Sequence, residues 1–168
     1  IWNIVTNRFN LAQDEVLVAA YGGILRSTDG GVSWQTVLGA DLLSSNKNLN
    51  TVEVSYYTDI AQAVDGSYYA TLSQEGPLNF ISEFKGIYHS SDGVNWVEIT
   101  PSFWPQMYSR TVIATSPSQP EVAYFLCEAE PVRFARFTFG GEIPGGIQGS
   151  WQDLSQEIAD FGGRVGDF

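Results

Sequence analysis

Two short stretches constrain this chain more than anything else in it: STDGGVSW, Ser27 to Trp34, and a copy shortened by one residue, SSDGVNW, Ser90 to Trp96. Each lies between two apolar runs, and each ends on a Trp that leads a further run, WQTVL at Trp34 and WVEIT at Trp96. A third Trp-led run, WQDLS at Trp151, keeps the register without the Ser-x-Asp stretch in front of it. The three tryptophans are separated by 62 and 55 residues. A segment rewritten at such a period is one supersecondary unit whose apolar face is buried only by stacking on its neighbours.

The units read as strands. EVLVAAY (15–21), TDIAQAV (58–64), SYYATLS (67–73), GIYHS (86–90), RTVIATS (110–116), EVAYFLC (121–127) and VRFARFTF (132–139) are short, rich in β-branched and aromatic residues, and punctuated by turn residues. Asp65-Gly66 between two such runs is a strong hairpin signal, and PSQP at 117–120 ends pairing in the same way. Helical periodicity is absent apart from a weak stretch at SQEIADF. Each unit is therefore strand, turn, strand, loop, strand, turn, Trp-led strand, one four-stranded antiparallel sheet. Insertions account for the long period: LGADLLSSNKNLN, EGPLNFISEFK and, in the third unit, a glycine-rich loop GGEIPGGIQGS. The fold class is all-β, about three four-stranded antiparallel blades stacked as a segment of a β-propeller. Their approximate bounds are 1–43, 52–101 and 108–156, with 157–168 opening a further blade or a linker.

STDGGVSW resembles the Asp-box, or BNR-type, repeat S-x-D-x-G-x-[ST]-W of sialidases, the sortilin group and xyloglucan-active hydrolases. The match rests on Ser27, Asp29, Gly31, Ser33 and Trp34 in the first copy and on Ser90, Asp92, Gly93 and Trp96 in the second; only Trp151 survives in the third. In such a turn the Asp carboxylate accepts hydrogen bonds from its own loop, glycine supplies positive φ, and the Trp ring buries itself as the last strand begins. The box is thus a turn staple. Calcium is the other reading of an Asp-Gly loop, but an EF-hand needs more oxygen ligands and a late Glu, which neither copy has. Three blades do not close, so the resemblance implies further blades of a longer chain, and the starts and stops at IWNIVTN and GGRVGDF read as cuts in a longer polypeptide.

Composition narrows the partners. Nineteen acidic against eight basic residues give a formal charge of −11, which repels phosphate backbones and anionic lipid, so neither nucleic acid nor membrane insertion is expected. With 43% apolar residues the chain has material for a core. Cys127, the lone cysteine, sits in VAYFLC as a buried thiol and forms no intrachain disulfide.

Catalytic constellations are not visible, and no cofactor or metal is expected. A sialidase needs an arginine triad and a Tyr/Glu nucleophile, and no arginine here lies in the family's context. A hydrolase needs only two carboxylates; Asp14, Asp41, Asp59 and Glu83 fall in or near loops and read as solvated acids. The single histidine, His89, reads as a polar residue at a strand end, without a nucleophile elbow or paired metal ligands. The clearest binding candidate is PSFWPQMY, where Phe103, Trp104, Met107 and Tyr108 stand between prolines as a platform for sugar rings or a protein anchor, unless they pack between blades. LNFISEF (78–84) is a second candidate loop. The sequence thus points to a non-enzymatic bacterial module, extracellular or on the cell surface, binding protein or glycan through blade loops. The alternative is a glycoside hydrolase with its catalytic residues mostly elsewhere.

Overall fold

The computed structural model describes residues 1–40, 43, 54–73 and 84–159. Its strands are β1 (Asn3–Thr6), β2 (Val16–Ala20), β3 (Gly23–Ser27), β4 (Gln35–Gly39), β5 (Thr58–Gln62), β6 (Tyr68–Leu72), β7 (Gly86–Ser90), β8 (Val97–Glu98), β9 (Thr111–Thr115), β10 (Val122–Cys127), β11 (Arg133–Ile143) and β12 (Gly146–Asp153). They form three four-stranded antiparallel sheets, each a simple meander in chain order. A five-residue helix, α1 (Ser155–Ala159), starts within the stretch that carried the weak helical signal. Most of LGADLLSSNKNLN and of the 74–83 insertion, including Asp41 and Glu83, lies outside the described residues.

The middle sheet is covered on both faces, and β6 shows why its sequence has no polar alternation: all five of its residues are buried. Tyr68 and Ala70 point to the first sheet and, with Ile60 of their own sheet, meet Leu17, Ala19 and Ile24 there. Tyr69, one residue out of phase, points to the third sheet and packs with Ala123, Phe125, Ala135 and Phe137. Two cores result, one per sheet interface, and the three sheets form a partial β-propeller. On the third sheet β10 alternates, with Ala123, Phe125 and Cys127 buried in this interface and Tyr124 and Leu126 half-buried on the opposite face.

The first strands of the three sheets, β1, β5 and β9, lie side by side. Asp59 on β5 joins them: its carboxylate accepts from Asn3 Nδ2 at 2.8 Å, Ile60 N at 2.9 Å and Ile113 N at 3.0 Å. The expectation of a solvated loop acid at Asp59 is therefore corrected. It is buried mid-strand because its four lone-pair sites satisfy donors from two neighbouring sheets.

The third unit differs in two ways from its sequence reading. GGEIPGGIQGS is no loop: β11 and β12 run on as a two-stranded ribbon, past a register shift between Phe139 and Gly141, to a tight turn at Pro144-Gly145. Gly145 adopts φ +83°, the conformation such a turn demands. Trp151 accordingly lies inside β12 rather than leading it.

Candidate functional site

In a meander the first and third turns fall at one end of a sheet, and the second turn and the exit to the next sheet fall at the other. Both Ser-x-Asp turns and the β11–β12 tip are third turns. The aromatic segment after β8 is an exit.

In the first turn Asp29 is bonded from every side. Its Oδ1 accepts from Ser27 Oγ at 2.8 Å and Ser33 N at 2.9 Å, and its Oδ2 from Ser33 Oγ at 2.5 Å. Ser27 Oγ accepts from Gly31 N at 2.9 Å, and Trp34 Nε1 donates to Gly31 O at 2.9 Å. The second turn repeats the scheme one residue shorter. Asp92 Oδ1 accepts from Ser90 Oγ at 3.0 Å, Val94 N at 2.8 Å and Asn95 N at 2.7 Å. Asn95 Nδ2 donates to Asp92 Oδ2 at 2.7 Å, so Asn95 does the work of Ser33, a role that a pattern requiring Ser or Thr had missed.

Donors crowding one carboxylate favour its charged form. The hydrogen bonds of Ser33, with that of Ser27, hold the Asp29 carboxyl down at about 2. For Asp92 burial acts upward, but the backbone and side-chain bonds of Asn95 outweigh it and the value is again about 2. Glycine is required at the bend: Gly93 has φ +70°, and a Cβ there would stand 3.2 Å from Leu17 Cδ2 and 3.3 Å from Tyr68 Cε2. The second turn is thereby seated against the first core, where Trp96 also packs.

The other acids and single-copy residues are placed by packing. Glu15 is buried; burial alone would raise its carboxyl, but Arg26 Nε at 2.6 Å and Asn7 Nδ2 at 2.8 Å bring it below the usual value. Asp14 is exposed. Cys127 is buried and its thiol is pushed up to about 12 by desolvation, so it is inert at neutral pH. His89 lies next to the end of β7, as expected, but it is buried. Tyr69 and Phe139 enclose its ring, Phe139 stacked at 4.7 Å and 18° and Tyr69 edge-on at 5.0 Å, leaving it 1% exposed.

The aromatic segment takes the packed one of its two readings. Trp104 and Tyr108 are each 3% exposed, in the second core, with Tyr108 Oη donating to Leu72 O at 3.0 Å. Phe103 is half-buried, edge-on to Trp151 at 6.4 Å. Met107 alone stands out, 64% exposed. The two prolines turn the segment back over the sheet interface, so its rings fill the gap between sheets instead of facing solvent. What they leave is a cleft of about 240 Å³, its floor made by Trp104 and Tyr108 and its rim by Lys85, Glu98, Thr100 and Gln106. Trp104 Nε1 is buried without a hydrogen-bond partner. Glu98 is the carboxylate in the lining, and its Oε1 accepts from Thr100 Oγ1 at 2.9 Å.

Among the described residues no three His, Cys, Asp or Glu side chains gather as a metal ligand set, and no helix is long and apolar enough to cross a membrane. No protein-family model matches the chain. No curated protein matches it either. Among solved structures it is similar to the crystal structure of an ancestral GH74 enzyme, with a TM-score of 0.60 and 22% identity over 91% of this chain. At that identity the likeness speaks for the fold alone. The chain spans 19% of the length of that enzyme.

Proposed function

We propose that this chain is a blade segment of a larger extracellular or cell-surface bacterial propeller, and that it binds an extended polar ligand, a glycan before a protein, in the cleft between β7 and the 101–108 segment. The observation that carries this reading is that Trp104, whose indole N–H is buried and unpartnered, lines one cleft with Lys85, Glu98, Thr100 and Gln106. A buried donor without a partner is costly, and a ligand hydroxyl reaching it relieves that cost. Rim groups that alternate donor and acceptor suit vicinal sugar hydroxyls. The two Ser-x-Asp turns stay outside this function as Asp-box-type staples of the blades. Further blades of the longer chain are the natural cover for the half-buried Tyr124, Leu126 and Phe134, whose rings at 124 and 134 stack at 5.9 Å.

Calorimetric titration with a panel of soluble polysaccharides and their oligosaccharides tests the reading. Saturable binding that Gln106→Ala and Trp104→Phe weaken severalfold supports it; Trp104→Phe keeps a ring while removing the N–H. Binding indifferent to both, or none across the panel, overturns it.

A second reading is favoured by the structural likeness to a GH74 enzyme: the whole protein is a glycoside hydrolase, and this segment supplies subsites. Glycoside hydrolysis needs two carboxyl groups roughly 5–9.5 Å apart, and Glu98 is the carboxylate that this cleft offers. Release of reducing ends by the full-length protein but not by this segment is the outcome that would favour it.

A further inference from the structure

Four aromatic rings gather at the end of the first and middle sheets that carries the second turns and the exits. Trp2 enters β1, Tyr21 forms the β2–β3 turn with Gly22, and Tyr56 and Tyr57 lead into β5. Trp2 lies 4.9 Å from Tyr57 and 5.8 Å from Tyr56, while Tyr56 stands edge-on to Tyr57 at 4.9 Å and to Tyr21 at 5.4 Å. None of the four belongs to either core. Trp2 is 38% and Tyr21 40% exposed, and the other two are half-buried.

Hydrogen bonds hold these rings in place before any ligand arrives. Trp2 Nε1 donates to Tyr56 O at 2.8 Å, and Gly22 N donates to Ser55 O at 2.8 Å, tying the turn of Tyr21 to the segment of Tyr56. Tyr57 N donates to Ser73 Oγ at 2.8 Å, and Ser73 N returns a bond to Tyr57 O at 3.0 Å. Rings fixed in this way lose little entropy on contact with a ligand. No side chain among residues 1–4, 20–23 and 54–58 is charged, although the chain carries a formal charge of −11. The patch is therefore neutral as well as aromatic. It also continues towards the cleft of Trp104: Ser73, bonded to Tyr57, follows Leu72, whose carbonyl accepts from Tyr108 Oη at 3.0 Å. Patch and cleft share one end of the middle sheet.

We propose that Trp2, Tyr21, Tyr56 and Tyr57 form a stacking platform for a neutral glycan built of pyranoses with equatorial hydroxyls. The inference rests on the reading that this end of the segment binds a glycan, and it names the kind. A pyranose with equatorial hydroxyls shows faces of C–H bonds, which pack on aromatic rings, and a rim of hydroxyls, which phenol groups can both donate to and accept from. An acidic ligand finds no cation on the patch and meets the repulsion of the chain's net charge.

Calorimetric and fluorescence titration of the chain with cellohexaose, and with its uronate counterpart as the charged control, tests the platform. Cellohexaose should bind saturably, and the uronate severalfold more weakly. Tyr21→Ala, at an exposed turn, should weaken cellohexaose binding about three- to tenfold, the size of one aromatic contact. Binding should also change tryptophan emission, and Trp2→Phe should remove a part of that change which Trp104→Phe leaves in place. This optical readout follows the platform even in a variant of lowered stability. The platform is overturned if cellohexaose does not bind, if the uronate binds as tightly, or if Tyr21→Ala and Trp2→Phe both behave as the wild type. In that last case, weakened binding by Gln106→Ala leaves the cleft reading standing. Conversely, Gln106→Ala that binds as the wild type, beside a weakened Tyr21→Ala, removes the cleft and keeps the platform.

Discussion

Asp29 and Asp92 carry the same chemistry in different wrappers, and their protonation is open to direct measurement. Both have folded-state pKa values near 2 against an ordinary 3.8. Between those values the unfolded chain binds more protons than the folded one, so their contribution is complete above about pH 4 and fades as the pH falls towards 2. A thermal-unfolding series should show the midpoint dropping across that window, with a shallower drop in Asp92→Asn; an unchanged slope in the variant would mean that the turn does not depend on its charge. Gly93→Ala adds a methyl at φ +70° within 3.2 Å of Leu17. The strain and the crowding together should cost about 1–3 kcal/mol, readable as a lowered denaturation midpoint with the slope preserved. Tyr69 predicts the opposite. Its hydroxyl is buried with no partner, so Tyr69→Phe should leave stability unchanged or raise it by up to about 1 kcal/mol, where loss of a formed hydrogen bond would lower it.

Among the elements, the fourth strand of the middle sheet is the weakest part of its meander. β8 has two residues, and its sheet relies on what flanks the strand: Ile99 N bonds to Ile87 O at 2.8 Å, and Ile99 O accepts from Trp151 Nε1 at 2.8 Å in the next sheet. Trp151→Phe keeps an aromatic ring against Phe125 and Phe137 but loses that bond, and it should cost about 1–2 kcal/mol in chemical denaturation. A change within error would show that water replaces the indole. The repeat of Trp34, Trp96 and Trp151 was legible because each opens a similar apolar run, at intervals of 62 and 55 residues. Its use was not: Trp96 packs into the first core and Trp151 into the second, while Trp34 belongs to neither. Likewise Asp65-Gly66 announced its hairpin, since the bonds that make it run over two or three residues, with Ser67 N to Asp65 Oδ1 at 2.9 Å and Gly66 N to Ala63 O at 3.1 Å. GGEIPGGIQGS misled because glycine marks loops and strained ribbons alike, and pairing with a partner strand decides between them.

For the whole molecule, a stack of sheets is held by nearest-neighbour interfaces, and the middle sheet belongs to both. Amide hydrogen exchange should therefore be slowest at Tyr69 and Ala70 on β6, with β4 and β12 faster; equal protection throughout would argue against interface-by-interface stability. The sequence by itself determined the strands, the hairpin turns, the repeat of three sheets and the two stapled bends, because all of these are set by periodicity and by contacts a few residues apart. Tertiary structure alone decided what the single-copy residues do. Asp59 became the tie between three first strands through partners 56 and 54 residues away, at Asn3 and Ile113. For Trp104 and Tyr108 it chose the core over the platform, and it enclosed His89, near the end of β7, between Tyr69 and Phe139, the latter some fifty residues later in the chain. The physical reason is common to all of them: whether a side chain is buried, and which donors or rings it meets, depends on the neighbouring sheet, and no local pattern records which sheet that is.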